Sequence, residues 1–502
     1  MRPVEILLVV ANLLTFLVVA VPRLHAARSL GGVVLITLSL AVVQVLLEGP
    51  RWQMVPAYVL TGLFLFVWVV QSFVPVGGIV KEILTNRLVV GCAIILAIIG
   101  LGLSTALPIV LPVFHFSLPS GPYAIGTVTY QWTDVSRREV FSPDKQMRRE
   151  LMAQVWYPAK KGSSSSHAPY IVDADAVTAA LARLHHLPDF SLQYLKYVTT
   201  NAAESVPVAD DQPSYPVLIY LEGLTGYRQM SIFQVEELVS HGYIVVGIDQ
   251  PGVAATVVFP DGHQLAITGL LTQIQSLEQQ SLSPAEQAPQ LFGQTFKDGI
   301  IPYFAQDVSF TLDQLASLNT TDPKGILTGK LDLEHIGMFG ISFGGMVGAQ
   351  ACLQDPRLKA CLVMDVWMTA DVVHSGLRQP SMWITRPADT MRLERQEDGG
   401  WSEPAIALTQ STMRAVYTHL PGDGYFVQVP GMFHIDFTDL DLLSPIFIPG
   451  IGGGPIGSQR AHEIVNAYSL AFFDKHLKGE PQALLDGPAA HYPEVIFEKR
   501  GP

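Results

Sequence analysis

Cysteine is scarce in this chain, with three residues in 502. That excludes a disulfide framework. Cys92 lies inside an apolar run, and Cys352 and Cys361 read as buried core thiols. Basic residues are also in short supply, 31 against 44 acidic ones, for a net charge of −13. An acidic balance of that size excludes nucleic acid as the expected partner. No His/Cys/Asp spacing has the form of a metal site, and no motif calls for a cofactor. The glycine-rich stretch 450–457 has no strand before it and no Lys-Ser/Thr after it, so it is a loop and not a phosphate cradle.

Charge as a whole is sparse, at 15% of residues, while 49% are apolar and the mean hydropathy is +0.31. Soluble enzymes rarely have such a composition, so a membrane portion is expected. Four apolar runs supply it: Val4–Val21, Leu30–Leu47, Met54–Val76 and Leu88–Leu111. Each reaches about 18 residues or more, enough to cross roughly 30 Å of hydrocarbon as helix. A cleaved leader would explain the first run alone, not the other three. The runs read as uncharged, which suggests an anchor and neither an ion nor a proton path. Trp52, Tyr58 and Trp68 are candidate interface anchors.

The short loops orient the unit. Arg23 and Arg28 lie in the first loop, and Lys81 and Arg87 in the third. Arg2, the amino terminus and Arg51 lie opposite. The positive-inside rule then sends the first and third loops to the cytoplasm, and everything after Leu111 to the extracytoplasmic side of a multi-pass cell-membrane protein. The expected division is residues 1–115 as four transmembrane helices and 116–502 as the second domain. The first part carries about +3 and the second about −16 by count.

After Phe116 short strand-like runs alternate with helical ones. Tyr123–Trp132 and Leu151–Tyr157 open a sheet as antiparallel strands. Tyr215–Leu221, Tyr243–Asp249, His335–Phe339, Ala360–Met364, Met382–Thr385 and Tyr425–Val429 are compact strands. Helices are expected over Ser231–Ser240, Phe304–Leu318, Gly345–Leu353, Ala405–Leu420 and Ala461–Leu477. The alternation predicts an α/β fold, a mainly parallel sheet covered on both faces. Two stretches interrupt it. Residues 160–211 begin with a Lys-Lys-Gly-Ser-Ser-Ser-Ser loop, and 268–301 is a possible lid insertion.

The chemistry centres on Gly340-Ile341-Ser342-Phe343-Gly344. The pentapeptide follows an apolar strand and opens a helix, the setting a nucleophile elbow requires. Small residues at 340 and 344 let strand and helix pass closely. A serine hydroxyl needs a base, and in this arrangement the chain order is Ser, acid, His. Six histidines follow Ser342: His374, His419, His434, His462, His476 and His491. His434 is favoured, because it sits in the loop after the last core strand. His462 and His476 fall within the closing helix. Two acids fit by position, Asp365 and Asp389, each after a strand. Asp436 is too near His434 and instead orders its loop. The oxyanion hole calls for two backbone N–H groups. They are assigned to Phe343 and, in the turn after Tyr215–Leu221, to Leu224.

Several segments together resemble the platelet-activating factor acetylhydrolases of the plasma and intracellular type-II kind. They are Ser120–Gly126, Tyr215–Leu218, Glu222-Gly223-Leu224 with Tyr227-Arg228, Gly340–Gly345, Met364–Met368 and Phe433–Asp439. The resemblance spans most of residues 120–480. It implies an α/β-hydrolase fold, Asp365 rather than Asp389 as the acid, and calcium-independent hydrolysis of short-acyl, phospholipid-like esters in lipid breakdown. That family usually has His where this chain has Glu222 and Ile341, and its characterised members lack the four-helix unit. A carboxylate at 222 would oppose an oxyanion if it faced inward, so Glu222 is expected to point away. A peptidase or acyltransferase would use the same triad. A non-catalytic membrane sensor is disfavoured by the intact Ser, Asp and His.

Overall fold

The computed structural model describes residues 1–20, 27–73, 86–162, 167–444 and 453–501. Arg23 and Lys81, two of the loop charges used for orientation, lie outside the described residues. So do the Arg28 side chain, the serine run 163–166 and residues 450–452 of the glycine-rich stretch. The chain forms two compact units, one from Met1–Phe114 with two short later segments and one from the remainder.

The first unit holds four helices, α1 (Pro3–Ala20), α2 (Ala27–Leu47), α3 (Val55–Phe73, led by a 3₁₀ turn at Trp52–Met54) and α4 (Arg87–Val110). Each is long and apolar enough to cross a membrane. Their outward faces are apolar, with Ile36, Phe66 and Leu96 exposed, and polar groups are turned inward. Asn12 Nδ2 donates to the Ala57 carbonyl (3.3 Å), Thr61 Oγ1 donates to Asn12 Oδ1 (3.1 Å), and the Thr15 and Thr37 hydroxyls pair at 2.9 Å. Such inward bonds join helices where apolar packing alone gives no preference over lipid.

One expectation is corrected here. The first run is not free of charge, because Glu5 lies in α1. Its carboxylate is buried and accepts from Arg51 Nη2 (2.6 Å) and Nε (2.7 Å) and from Arg2 Nη2 (2.8 Å). A buried acid in such a helix persists because it is paired. Two candidate anchors also face neighbours: Tyr58 donates to Gln44 Oε1, and a Cβ at Gly31 would stand 2.8 Å from Trp68 Nε1.

The second unit is built on a ten-stranded mixed sheet. In chain order the strands are β1 (Ala124–Arg138), β2 (Arg148–Ala159), β3 (Ala202–Glu204), β4 (Tyr215–Leu221), β5 (Ile244–Asp249), the hairpin strands β6 (Thr256–Val258) and β7 (Gln264–Ala266), the hairpin strands β8 (Gln290–Leu291) and β9 (Gln294–Thr295), β10 (Leu331–Ile341), β11 (Leu358–Met364), β12 (Ser381–Thr385), β13 (Gly424–Gln428) and β14 (Ile496–Arg500). The sheet runs β14-β13-β12-β11-β10-β4-β5-β2-β1-β3. From β13 to β5 every neighbour is parallel, while β2 pairs antiparallel with both β5 and β1, and β14 pairs antiparallel with β13.

The strands β5, β12 and β13 are buried along their whole length, and β10 is buried from Ile336 to Ile341. Continuous apolar runs of this kind belong to strands covered on both faces. Alternation along β10 shows the two layers. Met338 meets Cys361 and the helix Phe343–Gln354, while Phe339 stacks toward Tyr220 and Phe473 of the helix Ser458–Leu477. The expected strands recur within a few residues of their bounds. The strand β14 after the closing helix was not anticipated, because Ile-Phe-Glu-Lys-Arg is half polar, as an edge strand can be. The insertion 268–301 contains a helix, Leu271–Leu282, whose Ile274 and Leu277 join the main core.

Candidate active site

Parallel strands of such a sheet gather their following loops at one edge, and ligands bind outside the carboxyl ends. The turns after β4, β10, β11, β12 and β13 carry the residues of interest. Ser342 follows β10 with φ 55° and ψ −128°, a conformation an L-residue adopts only when its surroundings force it. Its N–H donates to the Met364 carbonyl at 2.9 Å, which ties the elbow to the end of β11. Close approach explains the glycines. A Cβ at Gly344 would lie 2.2 Å from the Leu221 carbonyl oxygen, and one at Gly340 would lie 2.6 Å from the Gly344 carbonyl carbon. The turn after β4 is thus pressed against the elbow by backbone alone. Ser342 Oγ makes no hydrogen bond among the described residues.

Phe343 opens the helix behind the elbow, where first-turn N–H groups have no partner within the helix. In the turn Glu222–Gly226, the N–H groups of Thr225 and Gly226 donate to Val253 and Gly223 carbonyls. Among the described residues Leu224 makes no such backbone bond.

Asp365 follows β11, fully buried and also at positive φ, 50°. His434 opens a 3₁₀ turn after β13, with its side chain 29% exposed. The two meet: His434 Nδ1 donates to Asp365 Oδ2 at 2.6 Å. A proton held on Nδ1 leaves Nε2 as an acceptor. Burial acts to raise the Asp365 carboxyl. The Arg386 charge and the His434 hydrogen bond outweigh it and hold the group well below the usual carboxylate range.

The rival acid stands elsewhere. Asp389 is 94% exposed at the start of the helix Ala388–Asp398 and pairs with Arg392. Asp436 is buried and accepts from the Phe433 and Gly454 N–H groups, so it orders the His434 loop. His462 is stacked on Phe233, and His476 lies beside the Tyr425 hydroxyl. Neither is near the elbow turn in contacts.

Glu222, expected to point away from the oxyanion turn, has Asp249 and Arg228 as its charged neighbours. It is buried, and neither carboxyl oxygen has a hydrogen-bond partner among the described residues. Burial, and after it the Asp249 charge, push its carboxyl far above the ordinary carboxylate range. Both causes disfavour the charged form of Glu222.

Sequence reasoning missed four side chains. Thr385 Oγ1 donates to Asp365 Oδ1 (2.8 Å) and Arg386 Nε donates to Asp365 Oδ2 (2.8 Å). Glu394 accepts from Arg386 Nη1 and, at 2.7 Å, from the His434 N–H. The Trp401 ring centroid lies 5.0 Å from that of His434. The one signal available was position: Thr385 and Arg386 end a buried strand at the site-bearing edge.

The mixed sheet has a solved neighbour, a ferulic acid esterase from Streptomyces cinnamoneus, at TM-score 0.59 and 25% identity over 77% of this chain and 99% of that one. The chain is an enzyme of the serine-hydrolase class, an esterase with a sheet that fits the α/β-hydrolase fold. Residues 318–483 match the family model described as "Platelet-activating factor acetylhydrolase, isoform II". A probable 1-alkyl-2-acetylglycerophosphocholine esterase of Arthroderma benhamiae is 24% identical over 80% of this chain and 98% of its own length. A platelet-activating factor acetylhydrolase of Cavia porcellus is 26% identical over 52% of this chain and 58% of its own length.

Proposed function

We propose that this protein is a membrane-tethered carboxylic-ester hydrolase acting on short-acyl or phospholipid-like esters, with Ser342, His434 and Asp365 as its triad. The observation that carries the proposal is the 2.6 Å contact of His434 Nδ1 with Asp365, beside an elbow that holds Ser342 in strained backbone. Ser342 Oγ attacks the ester carbonyl while His434 Nε2 takes its proton. The N–H groups of Phe343 and Leu224 receive the developing oxyanion, each worth on the order of a hundredfold or more in rate. His434 returns the proton to the leaving alcohol. Water, deprotonated by the same imidazole, then releases the acid from the acyl-enzyme. Asp365 holds the imidazole tautomer and stabilises its charged form.

The substrate class is drawn from the relatives named for 1-alkyl-2-acetylglycerophosphocholine esterase and platelet-activating factor acetylhydrolase activity. Four helices fit for spanning would place the catalytic domain, from about residue 116, at the lipid surface on the extracytoplasmic side. That raises the local concentration of lipid substrate without any new contact. The segment 268–301 would act as a lid, since its helix packs beside Ala370–Ser375, just beyond Asp365. A fluorophosphonate probe should label wild-type protein and not the Ser342→Ala variant, and p-nitrophenyl esters of graded acyl length should be cleaved fastest at the short end. Full activity in Ser342→Ala would refute the triad. A preference for long acyl chains would refute the substrate class alone.

A further inference from the structure

Asp365 Oδ2 accepts from two donors at once, His434 Nδ1 and Arg386 Nε. Arg386 directly follows β12 and is fully buried. Its Nη1 donates to Glu394 on the helix Ala388–Asp398, and the other Glu394 oxygen accepts the His434 N–H. A closed ring results. It runs from the imidazole to Asp365, Arg386 and Glu394, and back to the backbone of His434. The guanidinium also lies 5.1 Å from the Trp401 ring, which in turn flanks His434.

We propose that Arg386 and Glu394 are positioning residues for the Asp365–His434 pair, and that their opposite charges set the lower pH limit of esterase activity. The proposal rests on the assignment of Ser342, His434 and Asp365 as the triad. The charged groups facing the imidazole come from three elements: Asp365 after β11, Arg386 after β12 and Glu394 from its helix. Asp436, on the histidine's own loop, faces the Phe433 and Gly454 N–H groups. A bare carboxylate beside an imidazole favours its protonated form, which cannot act as a base. Arg386 shares the oxygen that His434 uses and weakens that preference. Glu394 weakens the effect of Arg386 in turn. Buried charges are little screened by salt, so both effects reach the ring. Arginine suits the place because its rigid planar fork holds Nε on Asp365 and Nη1 on Glu394, a fixed separation that the single ammonium of a lysine does not supply.

A merely structural ion pair would lower activity equally at every pH. The test is therefore the pH dependence of kcat/KM for p-nitrophenyl acetate, measured on the full chain in detergent, with thermal unfolding as a check of folding. Arg386→Gln should move the acid limb up by about one pH unit, a tenfold loss on that limb. Glu394→Gln, which can still accept the His434 N–H, should move it down by a smaller step. Arg386→Lys should keep the limb near its wild-type position and lose several-fold in kcat. Folded variants whose limbs coincide with wild type, or move in one direction together, would overturn the proposal. Should Arg386→Gln fail to fold, Glu394→Gln decides alone: a downward shift supports the proposal and an unmoved limb ends it. Ser342→Ala separates the two levels. Residual turnover there sinks the triad itself, while a dead Ser342→Ala with unmoved limbs sinks only the roles of Arg386 and Glu394.

Discussion

The Ser342 side of the site is made of backbone and glycine, whereas the Asp365–His434 side is made of buried charge. On the first side a strained φ, a hydrogen bond to the Met364 carbonyl and two close backbone passages fix the geometry. No ion pair takes part in those contacts. On the second side a carboxylate, a guanidinium and another carboxylate are buried together around one imidazole. The difference teaches how each half fails. Steric fit breaks when an atom is added, and a charge network breaks when one member is removed.

The largest effect should come from the nucleophile itself. Ser342→Ala should lower ester turnover by on the order of a millionfold while leaving the thermal midpoint in place. Asp365→Asn keeps the shape of the second half but reverses the hydrogen bond that orders the tautomer. Its kcat should fall about ten-thousandfold. Gly344→Ala probes the first half by adding one methyl group against the Leu221 carbonyl. A displacement of that turn should lower kcat/KM about a hundredfold and destabilise the domain by about 1–3 kcal/mol, read by denaturant unfolding. If Gly344→Ala proves harmless, the first half is not held by close packing, and the contrast between the halves fails.

Glu222 sharpens the comparison, because it is a buried acid whose carboxyl oxygens have no hydrogen-bond partner among the described residues. Its folded carboxyl titrates above its unfolded value, so the folded state binds the proton more tightly. The stability this gives is fully present at acid pH, below the ordinary carboxylate range, and is lost as pH rises. Glu222→Gln should therefore raise the thermal midpoint at pH 8 and change it little at pH 4. An equal gain at both values would mean that the side chain is not a protonated acid. The smallest effect is expected from Asp389→Asn. An exposed residue paired only with Arg392 should leave kcat/KM within about twofold of wild type, and a large loss would reopen the choice of acid.

The contrast also explains how much could be read in advance. Gly340 to Gly344 is a local pattern, since elbow geometry needs small residues within four positions of the serine. The strand before it and the helix after it follow from apolar spacing nearby. His434 is legible in the same way, from its place after a strand. Asp365 and Asp389 stood level by position, and only the resemblance of Met364–Met368 to one family separated them. Glu5 shows the converse: one acid is masked by the long apolar run around it, and its partner Arg51 lies 46 residues away in the chain.

The sequence by itself determined the alternation of strands and helices, the four apolar segments and the elbow, because each depends on side-chain periodicity or on glycine within a short window. The tertiary structure decided that Asp365 lies against His434 while Asp389 stands exposed elsewhere, that Arg386 and Glu394 close a ring around the pair, and that the buried Glu222 carboxyl has no hydrogen-bond partner among the described residues. Those facts depend on the order of strands in the sheet. Parallel strands distant in the chain bring their ends together at one edge, and the buried neighbours met there shift the titration of Asp365 and Glu222 in opposite directions.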